Sequence, residues 1–271
     1  MQDKDDWITT SGKYNGKLVV WIDQSTDGTL LAANSGGVCF ALTRDWVRNY
    51  TRNRIDRYNF VNSFRTGDGA VSRIPQAYID SQQSLSAQYK ANSTAFISAT
   101  REAIKNGQLD TVDGKQRINV FRKQQYGPEC INYFDFKNDG TNPIGDVLDF
   151  VFLEEEVGSP VPQYVMLSMK GTTGGHVVGF EMRPDVYVSA NYPVLYEFFD
   201  ANLGLFAFSN YTDVRNFFQK EVWEKLYKDN YTKLGAAVFD TGLGGLGEKI
   251  STSILQYLKT NAQRMLSWLW D

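Results

Sequence analysis

Two apolar runs in the second half of the chain, QYVMLSMK and HVVGFEM, are separated only by the short segment GTTGG. A connection this short joins antiparallel neighbours, because parallel strands need a crossover of a dozen or more residues. Its glycines also suit a hairpin turn in which some residues adopt positive φ angles. The two runs therefore predict an antiparallel hairpin, which constrains the fold of the segments around it.

The other periodic segments are arranged so that predicted helices precede most of the predicted strands. Apolar or β-branched runs bounded by turn residues predict further strands at 16–25, 193–199, 205–209 and 234–239. Helices are predicted at 38–50, 75–106, 143–156 and 211–228. This order, with helices first and an antiparallel sheet after, predicts an α+β fold.

The segment NSGGVCFALTRDW places a cysteine at the beginning of the first of these helices. Apolar residues recur at intervals of three and four, which gives the helix one buried face. These residues are Val38, Ala41, Leu42, Trp46 and Tyr50. Either Asn34 or Ser35 can cap the helix, which places Cys39 in its first turn.

Composition excludes several classes of protein. The chain has 271 residues and a formal net charge of -3, and its Lys and Arg residues form no basic stripe, so no nucleic-acid partner is expected. Two cysteines and one histidine are too few for a disulfide scaffold or a Cys/His zinc site, and no cofactor is expected. No cleavable secretory signal and no membrane-crossing run are expected either.

We expect two parts in the chain. Residues 1–240 are predicted to form one catalytic domain. Residues 241–271 are predicted to be a glycine-rich linker followed by a C-terminal amphipathic helix. That helix is interpreted either as packing on the domain or as binding a membrane surface or a partner.

Three residues fit a thiol active site. The unpaired N–H groups in the first turn of a helix stabilise a thiolate, which is the nucleophilic form of Cys39. A thiolate also needs an imidazole to form an ion pair with it and to protonate the leaving group, and His176 is the only histidine in the chain. A carboxylate at the end of a neighbouring strand can orient the imidazole, which favours Asp200.

The blocks GGVCFALTRDW, GGHVVGF and FFDANLGLF resemble the three signature blocks of the YopT/AvrPphB-type effector proteases, a papain-like family of bacterial virulence proteins. The resemblance covers roughly residues 20–210, and Ala201 stands where the family usually has proline. It implies a papain-like fold in which the helix bearing the cysteine packs on an antiparallel sheet bearing the histidine and the aspartate. It also implies the nucleophile Cys39, the base His176 and the orienting Asp200.

Acyl transfer also needs hydrogen-bond donors for the oxyanion. The backbone N–H of Cys39 is one candidate, and the resemblance points to a polar side chain a few residues upstream. The nearest amide there is Asn34, which is the predicted oxyanion residue, although it is equally suited to capping the helix. Cys130 lies in no matching block and is expected to be a buried core residue.

The resemblance implies a cysteine endopeptidase that acts as a secreted effector or toxin and cleaves a protein of a target cell through an acyl-enzyme. The implied location is a target-cell cytoplasm, reached through a specialised bacterial secretion system. Two alternatives remain open. The same triad serves a glutamine deamidase or transglutaminase-like toxin, and the chain can instead be a non-enzymatic interaction module. The acidic run 153–156 is expected to be a solvated helix end.

Overall fold

The computed structural model describes residues 3–27, 37–50, 60, 63, 74–107, 126, 130–137, 143–151, 163–172, 174–182 and 196–239. The helices with defined bounds are α1 (Lys4–Gly12), α2 (Cys39–Tyr50), α3 (Gln76–Lys105), α4 (Pro143–Val151), α5 (Tyr211–Phe217) and a π-helix (Phe218–Tyr227). The strands are β1 (Gly16–Val20), β2 (Cys130–Lys137), β3 (Gln163–Lys170), β4 (Gly175–Met182), β5 (Tyr196–Asp200), β6 (Gly204–Phe208) and β7 (Lys233–Phe239).

In the described part of the chain, the seven strands form one sheet in the order β1-β6-β5-β4-β3-β7-β2, and every neighbouring pair is antiparallel. The predicted hairpin is present as β3 and β4, in which Gln163 pairs with Met182 and Lys170 pairs with Gly175. Strands β3 to β6 are central in the sheet, whereas the N-terminal strand β1 forms one edge. The predicted α+β architecture is confirmed.

Helices cover both faces of this sheet. On one face, α2 and the beginning of α3 pack against buried side chains of β3, β4, β5, β6 and β7. On the other face, α1, α4, α5 and the π-helix surround a core rich in aromatic residues. None of the helices described is both long enough and apolar enough to cross a lipid bilayer.

Helix α2 lies unusually close to the sheet because β4 contributes a glycine beneath it. Trp46 and Thr43 of α2 pack over Gly179, and a Cβ atom built on that glycine would lie 2.5 Å from Cζ3 of Trp46. The hydroxyl of Thr43 also donates a hydrogen bond of 3.2 Å to the carbonyl oxygen of Val177. The indole of Trp46 in turn stacks on Phe199 of β5, with ring centroids 5.3 Å apart. These contacts fix the helix across β4 and β5.

The predicted inner face of α2 is confirmed for Val38, Ala41, Leu42 and Trp46, which are all buried. The long helix expected over 75–106 and the strand expected over 234–239 are present with nearly the expected bounds. The strand expected over 16–25 is shorter, because the chain leaves the sheet after Val20 and enters a turn at 24–26. Strand β2 and helix α1 have no counterpart among the predicted elements.

The helix expected over 211–228 is present, but its second half is a π-helix. The N–H of Lys228 bonds to the carbonyl oxygen of Trp223 at 2.8 Å, five residues earlier. Val214, Phe218, Val222 and Tyr227 are buried at spacings of four and five residues, so the wider turn keeps one apolar face on the sheet. The π-helix brings Tyr227, its last residue, next to His176 of β4 and Asp200 of β5.

Several predictions concern residues outside the described ranges. These are the caps Asn34 and Ser35, the acidic run 153–156 and the whole of the predicted C-terminal part, residues 241–271. They stay predictions.

Replacing Gly179 by alanine is expected to destabilise the fold by about 1–3 kcal/mol, because the new methyl group must displace Trp46 in a fully packed layer. Chemical denaturation followed by tryptophan fluorescence measures this change. Gly12→Ala is the matched control, since a Cβ atom there meets no heavy atom within 4 Å. Equal stabilities for the two variants would contradict the proposed packing.

Candidate active site

Two of the three predicted catalytic residues lie where β4 begins and β5 ends. The strands are antiparallel, and Val178 of β4 pairs with Asp200 of β5. His176 precedes Val178 by two residues, so its side chain is on the same face of the sheet as that of Asp200. The register of these two strands therefore brings the imidazole and the carboxylate together.

His176 and Asp200 form a buried pair. Nε2 of the imidazole lies 2.9 Å from Oδ1 of the carboxylate, and both side chains are almost wholly excluded from solvent. Because Nε2 faces the carboxylate, Nδ1 is the ring nitrogen that remains for a second partner. The carboxylate thus fixes both the tautomer and the orientation of the ring.

Cys39, the first residue of α2, also acts on the imidazole. Its side chain hydrogen-bonds the imidazole of His176 and is partly exposed, whereas Cys130 is buried in β2. The carbonyl oxygen of Val38 accepts the first helical bond, from Leu42 at 2.9 Å. The N–H of Cys39 is therefore among the first N–H groups of the helix, which have no acceptor within the helix.

The site favours a charged imidazole. Burial of the ring opposes the charged form, but the negative charges of Asp200 and Cys39 and the hydrogen bonds to both raise the pKa of His176 to about 10. Tyr231 is partly buried nearby, and burial followed by the same two negative charges raises its pKa. At neutral pH the protonated imidazole is the natural partner of a thiolate.

The turn after Asp200 explains the spacing in the motif DANLG. The backbone N–H of Asn202 donates to Oδ1 of Asp200 at 2.8 Å, so the turn itself supports the carboxylate. Gly204 follows with a φ of +100°, and a Cβ atom there would lie 2.0 Å from the carbonyl oxygen of Val20. A glycine is thus required both for this conformation and for the contact with β1.

The site contains three further polar residues that were not predicted from the sequence. The hydroxyl of Tyr227 donates to Oδ2 of Asp200 at 2.6 Å, and its ring centroid lies 5.0 Å from that of His176. The side chain of Asn202 contacts Tyr227, and that of Gln24 contacts Asn202. The position of the asparagine within DANLG was the only sequence signal that pointed to any of them.

The predicted oxyanion residue, Asn34, lies outside the described residues, and its role stays a prediction. Among the residues that the structure covers, no group of three or more His, Cys, Asp or Glu side chains is arranged to hold a metal ion.

A scan against protein-family models found no match for the chain, and neither did a search of curated proteins. Solved structures do match. The Pseudomonas avirulence protein AvrPphB is 13% identical, with a TM-score of 0.40 over 76% of this chain and 93% of its own. PatoxP, a cysteine protease-like domain of the Photorhabdus asymbiotica toxin PaTox, is 12% identical, with a TM-score of 0.41. That alignment covers 89% of this chain and 59% of PatoxP.

AvrPphB belongs to the family that the three sequence blocks resemble. Both TM-scores lie below 0.5, and a structural likeness of this degree does not show that two proteins share a function.

The charged imidazole of His176 makes stability depend on pH in a defined window. Its pKa is about 10 in the folded protein against 6.5 for an ordinary histidine, so its contribution is fully present below pH 6.5 and is lost as the pH rises toward 10. Folding also removes a proton from the thiol that pairs with this imidazolium, which offsets the effect up to about pH 8.5, where a free thiol ionises. We therefore expect the difference in unfolding free energy between the wild type and His176→Gln to shrink from about pH 8.5 to about 10.

Denaturant titrations at several pH values measure this difference. The titratable groups that face the imidazole are Cys39, Asp200, Tyr227 and Tyr231. All four remain in the variant, and the chain has no other histidine, so above about pH 8.5, where a free thiol is already ionised, the difference reports the imidazole. A difference that stays constant from about pH 8.5 to about 10 would contradict a raised pKa.

Proposed function

We propose that this chain is a cysteine endopeptidase, a bacterial effector or toxin that cleaves a protein of the cell into which it is delivered. The observation that carries the proposal is the contact of a partly exposed cysteine at a helix N-terminus with a buried histidine that an aspartate orients. In addition, neither Cys39 nor Cys130 is in a disulfide, as suits a reducing cytoplasm.

The reaction begins with the thiolate of Cys39 attacking the carbonyl carbon of the scissile peptide. The carbonyl oxygen becomes an oxyanion, and the backbone N–H of Cys39 is in position to donate to it. His176 gives its proton to the leaving amine as the C–N bond breaks, which leaves an acyl-enzyme and a neutral imidazole. The imidazole then takes a proton from water, the hydroxide attacks the thioester, and the thiolate is released.

Asp200 has a different role in these steps. It stabilises the imidazolium that is present before the first proton transfer and forms again when the imidazole takes a proton from water. Its two carboxylate oxygens are held by the imidazole, by the backbone of Asn202 and by the hydroxyl of Tyr227, so it cannot turn away from the ring. Rigid support of this kind lowers the cost of reorganisation during the reaction.

Replacing Cys39 by alanine is expected to lower the rate of substrate cleavage by about 10⁴-fold or more, because the nucleophile is removed. Full-length protein is incubated with a lysate of target cells, and new protein termini are counted by mass spectrometry. Cys130→Ala is the matched control and should cleave at the wild-type rate, since this cysteine is buried away from the triad.

The products formed in the lysate also distinguish an endopeptidase from a deamidase or transglutaminase and from an interaction module. New termini that depend on Cys39 support the endopeptidase. Intact chains in which a glutamine has become a glutamate, or has been joined to an amine, would assign the triad to deamidation or transamidation instead. Toxicity that Cys39→Ala leaves unchanged would support an interaction module.

We also propose that the predicted amphipathic helix in residues 249–269 brings the protein to a membrane or to a partner. Its sequence places Ile250, Leu258 and Leu269 on one face, with Lys259 and Arg264 elsewhere to meet anionic lipid. Deleting residues 245–271 is expected to abolish sedimentation with anionic liposomes while activity on a soluble substrate is kept. A large fall in melting temperature, with no liposome binding by the full-length protein, would show that the segment packs on the domain.

A further inference from the structure

A chain of hydrogen bonds runs from the peptide group next to Cys39 to the carboxylate of Asp200. Oε1 of Gln24 accepts from the N–H of Val38 at 2.8 Å, and Nε2 of Gln24 donates to Oδ1 of Asn202 at 2.7 Å. Nδ2 of Asn202 then donates to the hydroxyl oxygen of Tyr227 at 3.2 Å. The hydroxyl of Tyr227 completes the chain by donating to Asp200 at 2.6 Å.

The direction of every bond in this chain is fixed by its two ends. A backbone N–H can only donate, so Gln24 must present its oxygen to Val38 and its NH₂ group to Asn202. At the other end, burial and then the charge of Asp200 raise the pKa of Tyr227 well above its usual range, which keeps the hydroxyl protonated and able to donate. These two constraints fix the orientation of the side-chain amides of Gln24 and Asn202.

The chain connects parts of the protein that are distant in sequence. Gln24 follows β1, Val38 immediately precedes α2, Asn202 lies in the turn after β5, and Tyr227 ends the π-helix. The backbone of Gln24 is also fixed, because its N–H donates to the carbonyl oxygen of Ala201 at 3.0 Å. Its side chain therefore spans from the turn that supports Asp200 to the beginning of the helix that carries the cysteine.

Gln24 does not act as an oxyanion donor in this arrangement. Its NH₂ group donates to Asn202 and its oxygen accepts from Val38, so neither end points to a substrate carbonyl. A side chain at position 37 would also crowd this amide, because a Cβ atom on Gly37 would lie 3.1 Å from Oε1 of Gln24. The contacts therefore support a role in placing other groups.

We propose that Gln24, Asn202 and Tyr227 are positioning residues, and that their directional hydrogen-bond chain holds the start of α2 in the place where the sulfur of Cys39 meets the imidazole of His176. This rests on the proposed thiol chemistry of the site. Because the bonds lie in series, loss of any one of them interrupts the link between α2 and Asp200.

The test measures the reactivity of Cys39 without any protein substrate. The rate at which iodoacetamide alkylates Cys39 in the full-length protein is followed by mass spectrometry from about pH 5 to about pH 9. In the wild type, ion pairing with the imidazolium should keep the thiolate reactive below the pH at which an ordinary cysteine ionises, and Cys39 should react much faster than the buried Cys130.

Gln24→Met and Tyr227→Phe break the chain at opposite ends and change no charge. Each is expected to lower the alkylation rate near pH 6 by about tenfold, the size expected for one lost hydrogen bond. The rates should converge with the wild type near pH 9, where the thiol ionises without help. Combining the two changes should slow the reaction no further than the slower single variant, because the chain is already broken.

Gln82→Met is the matched control for Gln24→Met. Oε1 of Gln82 accepts from the N–H of Ala41 at 2.9 Å, so it also satisfies a donor at the start of α2, but its own NH₂ group contacts Ser86. Tyr211→Phe is the control for the tyrosine and removes a hydroxyl from the first residue of α5. Both controls should keep the wild-type pH profile.

If Gln82→Met and Gln24→Met lower the alkylation rate of Cys39 equally, the proposal is overturned, since capping of the helix would then explain both effects. The proposal is also overturned if Gln24→Met and Tyr227→Phe leave the pH dependence of the alkylation rate unchanged. The same holds if the double variant lowers the rate by the product of the two single effects. If Gln24→Met fails to fold, Asn202→Ala decides, because it breaks the chain in the middle and leaves the hydroxyl of Tyr227 on Asp200. The alkylation rates do not depend on peptidase activity. The positioning role can therefore hold if the protein proves not to be a peptidase, and the peptidase function can hold if the positioning role fails.

Discussion

The buried pair of His176 and Asp200 is the interaction on which the rest of the site depends. A charge inside a protein is costly unless it is paired and hydrogen-bonded, and here the imidazolium and the carboxylate satisfy this condition for each other. The supports around the carboxylate occupy both of its oxygens. The sheet provides the register, and the turn after β5 together with the end of the π-helix provides the remaining donors.

The sequence predicted which three residues meet at this site better than it predicted the residues that support them. Cys39, His176 and Asp200 lie in short local patterns, a glycine-rich helix start, a hairpin and a strand end, and each pattern determines its own conformation. The central hairpin and the buried face of α2 were predicted for the same reason. The contact between His176 and Asp200 follows from the antiparallel register of β4 and β5, whereas the contact of Cys39 with the ring also depends on where α2 begins.

What the sequence did not predict depends on contacts between distant segments. Gln24 follows a strand whose end could not be located, because the apolar run continues past Val20 while the pairing with β6 does not. Tyr227 reaches the site only because a helical segment widens into a π-helix, and ordinary helical periodicity does not predict that change. The edge strand β2 has an irregular pattern and pairs with only one neighbour, which leaves a weak signal.

The order of the strands has a consequence for how the protein folds. Strands β3 to β6 follow one another in the sequence and pair as sequential neighbours, whereas β1 pairs with β6 across most of the described chain, Gly16 with Phe208. Closing so long a loop costs entropy before any contact repays it, which is typical of slow folding steps. The N-terminal strand, and Gln24 with it, can dock only after the C-terminal half has formed. A ribosome-bound fragment that ends before β6 therefore contains Cys39, His176 and Asp200 but lacks the strand on which β1 docks.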